Sequence, residues 1–484
     1  MSFNIPYRKI SYIGITIFWI VTMTVLIIRH YGFQLKTTLS EYEGILPAGL
    51  NYDQWMGMYL KGEKIGYSHR ETRRWDSGYK ISETAKMRLK VMGIKKDMET
   101  VTDAYLDSNL RLKSFDFILK SDINMNIRGQ IEGKNLNVSI EAGGLRSQRT
   151  IQISDRPQLN FSIIPEILQH GLKTGTRLRF PIIDPTTLSE EQMDIEIIGK
   201  ESIMAMGRKQ DAFKLRGSFK GIELFVWLTE KGEVLREESP MGFTLIKEIE
   251  QDAIQIGKPS IDLIAQVAIP FSIKLPLDAS YLKVRLSGVD LKGLELDGGR
   301  QSLRGDILEI NKEVLESGVK SQESRVLDEY LRDTMFIQSK DPEIISLAKK
   351  IVGDERDSLK ATQLLYEWVY KNIEKTPTIS IPMATEVLRT MRGDCNEHTT
   401  FFVSLSRASR IPARIAIGLA YKDGYFYYHA WPEVYLGRWV AVDPTLGQFP
   451  ADASHIRLLT GDIDKQVQLL PVIGKLKIEG IEYR

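Results

Sequence analysis

From Tyr79 to Val91 the side chains alternate. Tyr79, Ile81, Ala85, Met87, Leu89 and Val91 fall on one face, and Lys80, Ser82, Thr84, Lys86, Arg88 and Lys90 on the other. A period of two sustained this long predicts a β-strand with one packed and one wet face. Glu83 is the misfit, a charge on the apolar side. Further strand-like runs surround Phe115-Asp116-Phe117, Asn135 to Ile140, Leu178 to Ile182 and Ile222 to Leu228. Glycine-containing turns such as Gly62-Glu63-Lys64-Ile65-Gly66, Gly133-Lys134 and Gly143-Gly144 punctuate them. Residues 50–250 therefore predict a large antiparallel β region, either a sandwich or a half-open barrel, with a short helix near Ser162 to Gly171. Val267 to Leu275 and Tyr281 to Leu286 alternate again, so residues 251–325 predict a second, small β module.

Near residue 341 the period changes. Asp341-Pro342-Glu343 carries an N-cap acceptor, a proline at the first helical position and an acid at the positive end of the dipole. A second helix is predicted over Ser358 to Ile373, where Ala361, Leu364, Leu365, Trp368 and Ile373 recur at helical spacing. A third covers Thr385 to Met391, with Gly393 as its stop. Cys395 opens a fourth, with Phe401, Phe402, Leu405 and Ala408 on one face, and Ile411-Pro412 ends it. Short strands follow at Ala413 to Leu419, Tyr425 to Val434 and Trp439 to Val442. The pattern predicts a C-terminal α+β domain over residues 340–470.

The N-terminal end differs from both. Ile10 to Ile28 carries no charge and is mostly large and apolar. Its nineteen residues would span about 28 Å as a helix, close to the hydrocarbon thickness of a bilayer. Arg8 and Lys9 precede the run, Arg29 follows it, and no small-residue cleavage pattern is present. An uncleaved transmembrane anchor over 10–28 is expected. The short basic N-terminus places it inside. Residues 35–484 are then extracytoplasmic, in a single-pass protein of the inner membrane facing the periplasm where there are two membranes.

Composition narrows the functional classes. The 484-residue chain has 65 basic and 63 acidic residues, a net charge of +2, which gives no nucleic-acid footprint. The single cysteine rules out an internal disulfide. Neither a phosphate-binding glycine motif nor a calcium loop is present. Cys395-x-x-His398 together with His429 invites a zinc reading, but zinc sites normally recruit several cysteines or histidines in tight pairs. No metal or cofactor is expected.

The chemistry concentrates in the last quarter. Cys395 stands at the start of a helix, where unpaired N–H groups and the dipole favour thiolate. His429 lies on the second of the three strands and Asp443 at the end of the third. Neighbouring strands are about 4.8 Å apart, so the two side chains can meet. A thiol, an imidazole and a carboxylate in that order are the parts of a cysteine acyl-transfer site. Trp431, His398 and Tyr428 are candidate substrate-binding residues. Trp431 reads equally as core, and His398 as a rival base.

Three separated blocks carry a resemblance: Gly393-Asp394-Cys395…Arg407…Ile411-Pro412-Ala413-Arg414…Gly418, then His429-Ala430-Trp431-Pro432-Glu433-Val434, then Trp439-Val440-Ala441-Val442-Asp443-Pro444-Thr445. Together they resemble the bacterial transglutaminase-like domain. The resemblance implies a papain-like α+β core over roughly residues 340–460, with Cys395 as nucleophile, His429 as base and acid, and Asp443 as its orienter. The expected protein is a membrane-anchored peptidase or amidase acting on a protein or peptide. A cross-linker of Gln and Lys side chains and an inactive envelope scaffold are the alternatives.

Overall fold

The computed structural model describes residues 53–484 apart from 92–93, 143, 156, 220–221, 240–241, 259, 263–265, 316–324 and 379. The expected anchor over 10–28 lies outside the described residues. No helix among the described residues is long and apolar enough to cross a membrane. The chain divides into two compact units on either side of residues 262 and 263.

The first unit is one antiparallel sheet of fourteen strands. They are β1 Asp53–Leu60, β2 Glu63–Trp75, β3 Gly78–Val91, β4 Ile94–Leu106, β5 Leu112–Lys120, β6 Met125–Glu132, β7 Asn135–Ala142, β8 Leu145–Gln152, β9 Arg177–Ile183, β10 Glu190–Ala205, β11 Arg208–Phe219, β12 Ile222–Leu228, β13 Val234–Glu238 and β14 Phe243–Glu248. The chain meanders outward from β1 to β8, crosses back over residues 153–176, and returns from β9 to β14. There β14 pairs with β1, Met58 opposite Leu245. Alternation sets the inner face: Phe115 and Phe117 on β5 and Leu136 on β7 are fully buried, while their sequence neighbours are exposed or half-buried. The strands form one continuous sheet instead of the two a sandwich would stack. Helix α1, Ile164–His170, lies in the crossing segment and buries Ile167. Helix α2, Glu250–Ala253, follows the last strand.

The second unit, Leu263–Arg484, holds the site. Its small sheet has the order β17-β18-β16-β25, built from β16 Tyr281–Ser287, β17 Gln301–Arg304, β18 Ile307–Asn311 and β25 Lys477–Tyr483. The strands expected as a separate 251–325 module thus share a sheet with the C-terminal strand. Of the run Val267 to Leu275, only β15, Ile269–Pro270, is a strand. Pro270 has no N–H to continue a ladder. It pairs instead with the central sheet, order β15-β22-β21-β24, made with β21 Ala413–Lys422, β22 Tyr425–Tyr435 and β24 His455–Thr460, while β23 Trp439–Ala441 pairs with β22.

Of four helices, α3 Pro342–Val352, α4 Ser358–Asn372, α5 Ala384–Thr390 and α6 Cys395–Ala408, α6 packs on that sheet and the other three pack against α6. Asp341 caps α3 by accepting from the Glu343 and Ile344 N–H groups. Asp357 does the same for α4. The end of α5 is Met391 in the left-handed region at φ 51°, and not Gly393. Gly393 serves another purpose. It joins the two-residue parallel ladder of β19 Glu374–Lys375 and β20 Arg392–Gly393, and any Cβ there would stand 2.2 Å from the Glu397 Cβ. Helix α6 is buried from Cys395 through Arg407, so its polar side chains must find partners inside. Thr399 Oγ1 donates to the Ala430 carbonyl at 3.1 Å and ties α6 to β22.

Candidate active site

Helix α6 starts where it does because Asp394 and Glu397 cap it reciprocally. Asp394 Oδ1 accepts from the Asn396 N–H at 3.0 Å, and Glu397 Oε2 accepts from the Asp394 N–H at 2.9 Å. Cys395 is the first helical residue and is fully buried. The helix terminus was expected to lower the thiol's pKa, and the structure reverses this. Burial pushes the Cys395 thiol well above its ordinary value, and the Asp394 and Glu397 carboxylates push the same way. The Ala430 backbone N–H beside the sulfur opposes them without prevailing. Desolvation of the thiolate is the largest of these causes.

Ala430 follows His429 on β22, so the contact at the sulfur sits one residue from the imidazole. His429 Nε2 and Asp443 Oδ2 are 2.5 Å apart, both residues fully buried. The meeting expected from strand spacing is therefore present. β23 runs beside β22, and the Val442 N–H donates to the Pro432 carbonyl. Asp443 is fixed at its other oxygen too, which accepts from the Thr445 and Leu446 N–H groups, each at 2.8 Å. His429 Nδ1 has no hydrogen-bond partner among the described residues. An Nε2–H given to the carboxylate leaves Nδ1 as the basic nitrogen. Burial lowers the His429 pKa, so the ring is neutral near pH 7.

Sequence reasoning missed His455. It is fully buried on β24, and its Nε2 lies 3.0 Å from the same Asp443 Oδ2. Its Nδ1 lies 3.2 Å from Asp452 Oδ1. Burial opposes its charge, but the two carboxylates raise its pKa to about 9. Asp443 is thus shared between a neutral and a charged imidazole. Burial alone would raise the Asp443 carboxyl, but the two histidines outweigh it and hold it far below the usual range. Asp452 in turn is held in place by Arg300, which donates to the Ala451 and Asp452 carbonyls at 2.9 and 2.6 Å. Between the histidine strands runs β21. Its Gly418 pairs with His429 on one side and Arg457 on the other. A Cβ there would lie 1.9 Å from the Ile456 carbonyl oxygen, so no larger residue allows the approach. The one sequence signal for His455 was its being a second histidine, of only six in the chain, shortly after Asp443.

His429, Asp443 and His455 also form a group of possible metal ligands. Two ring nitrogens on one oxygen at 2.5 and 3.0 Å is hydrogen-bond geometry. Ligands of one tetrahedral ion with bonds of about 2.0 Å would stand roughly 3.3 Å apart.

The other expected residues divide. Trp431 shares the His429 face of β22 and is fully buried, its ring stacked 5.9 Å from His429 and edge-on 5.1 Å from His455. It packs the histidines and offers no open wall. His398 is fully buried, and its Nδ1 lies 2.6 Å from the Asp394 carbonyl. Burial lowers its pKa to about 4, so the ring is neutral, and its Nδ1 is tied to the first turn of its own helix. Tyr428 falls on the opposite face of β22 from His429, because strand side chains alternate, and its hydroxyl donates to the Val472 carbonyl. It belongs to the far core and not to a groove beside Cys395.

The charged His455 makes a stability prediction. A raised folded-state pKa contributes stability that is complete below the unfolded value near 6.5 and is lost as pH rises through about 9. Thermal melts should show Tm falling across that window, by an amount on the order of 3 kcal/mol of stability. His455→Gln should flatten that slope. An unchanged slope in the variant would refute the charged ring.

Residues 345–444 match the transglutaminase-like superfamily. A stretch of 107 residues is 33% identical to an uncharacterized protein of Haemophilus influenzae, covering 20% of this chain and 29% of that protein. The chain therefore spans under a third of this relative's length. Among solved structures, a candidate cysteine protease from Cytophaga hutchinsonii is similar at 16% identity and a TM-score of 0.30, covering 43% of this chain and 90% of its own. A β-barrel-like protein of unknown function from Brucella abortus is similar at 10% identity and a TM-score of 0.32, covering 40% of this chain and 93% of its own. The C-terminal unit of this chain thus contains a transglutaminase-like domain, over residues 345–444, and Cys395, His429 and Asp443 all lie within it.

Proposed function

We propose that this chain is a cysteine hydrolase or acyltransferase that acts on amide bonds through Cys395, His429 and Asp443, as a peptidase or amidase. The observation that carries the reading is the His429–Asp443 pair. It commits one ring nitrogen and leaves the other as a base, one residue from the backbone group that touches the Cys395 sulfur. Because the thiol's pKa is high, thiolate is not waiting beforehand. The Sγ proton passes to His429 Nδ1 as sulfur attacks the carbonyl carbon, and Asp443 stabilises the imidazolium so formed. As the tetrahedral adduct collapses, the C–N bond breaks and the Nδ1 proton goes to the leaving amine. A thioester remains on Cys395. Water gives net hydrolysis, and a primary amine gives transfer. The three side chains are fully buried, so substrate must displace covering groups to reach the sulfur.

The test compares wild type with Cys395→Ala on a peptide amide, with and without an added primary amine. Cysteine-dependent amine release supports the enzyme, and incorporation of the added amine assigns cross-linking. Equal signal from both proteins would leave a binding scaffold.

The uncharged run Ile10 to Ile28 supports a membrane tether with the two units outside the cytoplasm. Deleting residues 1–34 should move the protein from the membrane pellet to the soluble fraction. Retention in the pellet would sink the tether.

A further inference from the structure

Cysteine acyl transfer needs one imidazole and one carboxylate beside the thiol, and it assigns no task to His455. That ring is fully buried with both nitrogens engaged, Nε2 on Asp443 Oδ2 at 3.0 Å and Nδ1 on Asp452 Oδ1 at 3.2 Å. Ionised carboxylates only accept, so both nitrogens must donate and the ring is a cation. The other partners of the two acids favour the ionised form. Asp452 accepts from the Ser454 N–H at 3.0 Å and hydroxyl at 2.6 Å, and from Gln448 Nε2 at 3.1 Å. Asp443 Oδ1 receives two backbone N–H groups.

The charge count gives this cation a use. Two carboxylates, the charged His455 and the neutral His429 leave the cluster at minus one. Without His455 it would stand at minus two, and His429, 5.8 Å away between ring centroids, would be drawn to hold a proton at rest. With His455 in place, the cluster becomes neutral when His429 takes the Cys395 proton. Beyond burial, the groups that act on His429 are Asp443 and His455, and those that act on His455 are Asp443 and Asp452. Other charges lie further out. Glu433, on the His429 face of β22, sits between Arg414 and Arg457 at 2.6 and 3.2 Å, and Arg300 faces Glu313 at 3.5 Å. Lys375 on β19 is within reach of Asp443, and burial lowers its pKa to about 8.

We propose that His455 is a positioning residue for the base: its charge offsets Asp452, it fixes Asp443 Oδ2 from the side away from His429, and it keeps His429 unprotonated until Cys395 gives up its proton. Both ring nitrogens are committed, so His455 offers nothing to a substrate and acts only through Asp443 and His429. The inference rests on the acyl-transfer reading, and one arm of its test needs no turnover.

The full chain, labelled with carbon-13 at histidine Cε1, has six histidines whose NMR signals report protonation. In the wild type the His455 signal should keep its imidazolium position up to about pH 9, and the His429 signal should titrate below the ordinary value near 6.5. His455→Gln removes one charge at 5.8 Å and should move the His429 titration up by about one to two pH units. His455→Lys keeps the charge and should hold it within about half a pH unit of the wild type. On a peptide amide the acid limb of kcat/KM should follow, a roughly ten- to hundredfold loss for His455→Gln below both limbs, with KM within about twofold. A neutral His455 at pH 7 would overturn the proposal, and this wild-type result stands even where a variant fails to fold. So would an unmoved His429 titration in folded His455→Gln, or an equal shift in folded His455→Lys. Absent turnover with the NMR shifts intact would sink the acyl-transfer reading and leave the hold of His455 on His429 standing.

Discussion

Cys395→Ala is expected to lower amide turnover by about 10³- to 10⁶-fold, the range seen when a nucleophile is removed and only binding and oxyanion donors remain. The fold should survive. Cys395 is fully buried, so losing one sulfur leaves a small cavity at about 1 kcal/mol, or roughly 2–4 °C in Tm. A catalytic loss far larger than the stability loss separates a nucleophile from a core cysteine. The pH profile adds a second reading. With the thiol pushed up and His429 pulled down by burial, activity needs only a neutral imidazole. The acid limb of kcat/KM should therefore lie below the ordinary histidine value near 6.5. An acid limb near the thiol's ordinary value would mean that sulfur ionises before substrate arrives, which this environment disfavours.

Asp443→Asn should be nearly as damaging and should also destabilise. One Asp443 oxygen receives two backbone N–H groups and the other faces two imidazoles. An asparagine can keep the first pair only by turning its NH2 toward the rings. His429 Nε2 must then accept, Nδ1 carries the proton, and the base is lost. A wrong tautomer of this kind costs about 10³- to 10⁴-fold in kcat. His455 meanwhile loses one of its two counter-charges inside the protein. Breaking a buried pair from one side costs about 3–5 kcal/mol, enough to lower Tm by roughly 6–20 °C. In the wild type the depressed Asp443 pKa makes this contribution complete above the unfolded value near 3.9, and it fades only as pH falls through the folded value. Steady-state kinetics and melts at pH 6 check both halves. Retention of more than about a tenth of kcat would remove Asp443 from the orienting role.

Local pattern carried some features well. The Tyr79 to Val91 alternation is the strand Gly78–Val91, and the Asp341-Pro342-Glu343 start is the capped N-terminus of α3. Both rest on interactions within a few residues. Features that depend on distant segments were not legible. The small β module recruits its fourth strand from Lys477–Tyr483. Gly393 looked like a helix stop because the reason for it, the Glu397 side chain folded back against it, belongs to the cap of the next helix. Tyr428 was set beside the site by adjacency to His429, whereas strand alternation sends it to the other side.

The chain's order of residues by itself indicated several of the strands and helices and offered Cys395, His429 and Asp443 as a candidate trio, because periodicity, capping and motif spacing are local. Only the tertiary structure decided the electrostatics. Burial and the carboxylates of Asp394 and Glu397 turned a thiol expected to be acidic into a weak acid. His455, from a strand whose pattern says nothing of catalysis, came to share Asp443. Charge interactions and desolvation act through space, and their strength is set by which segments exclude water together.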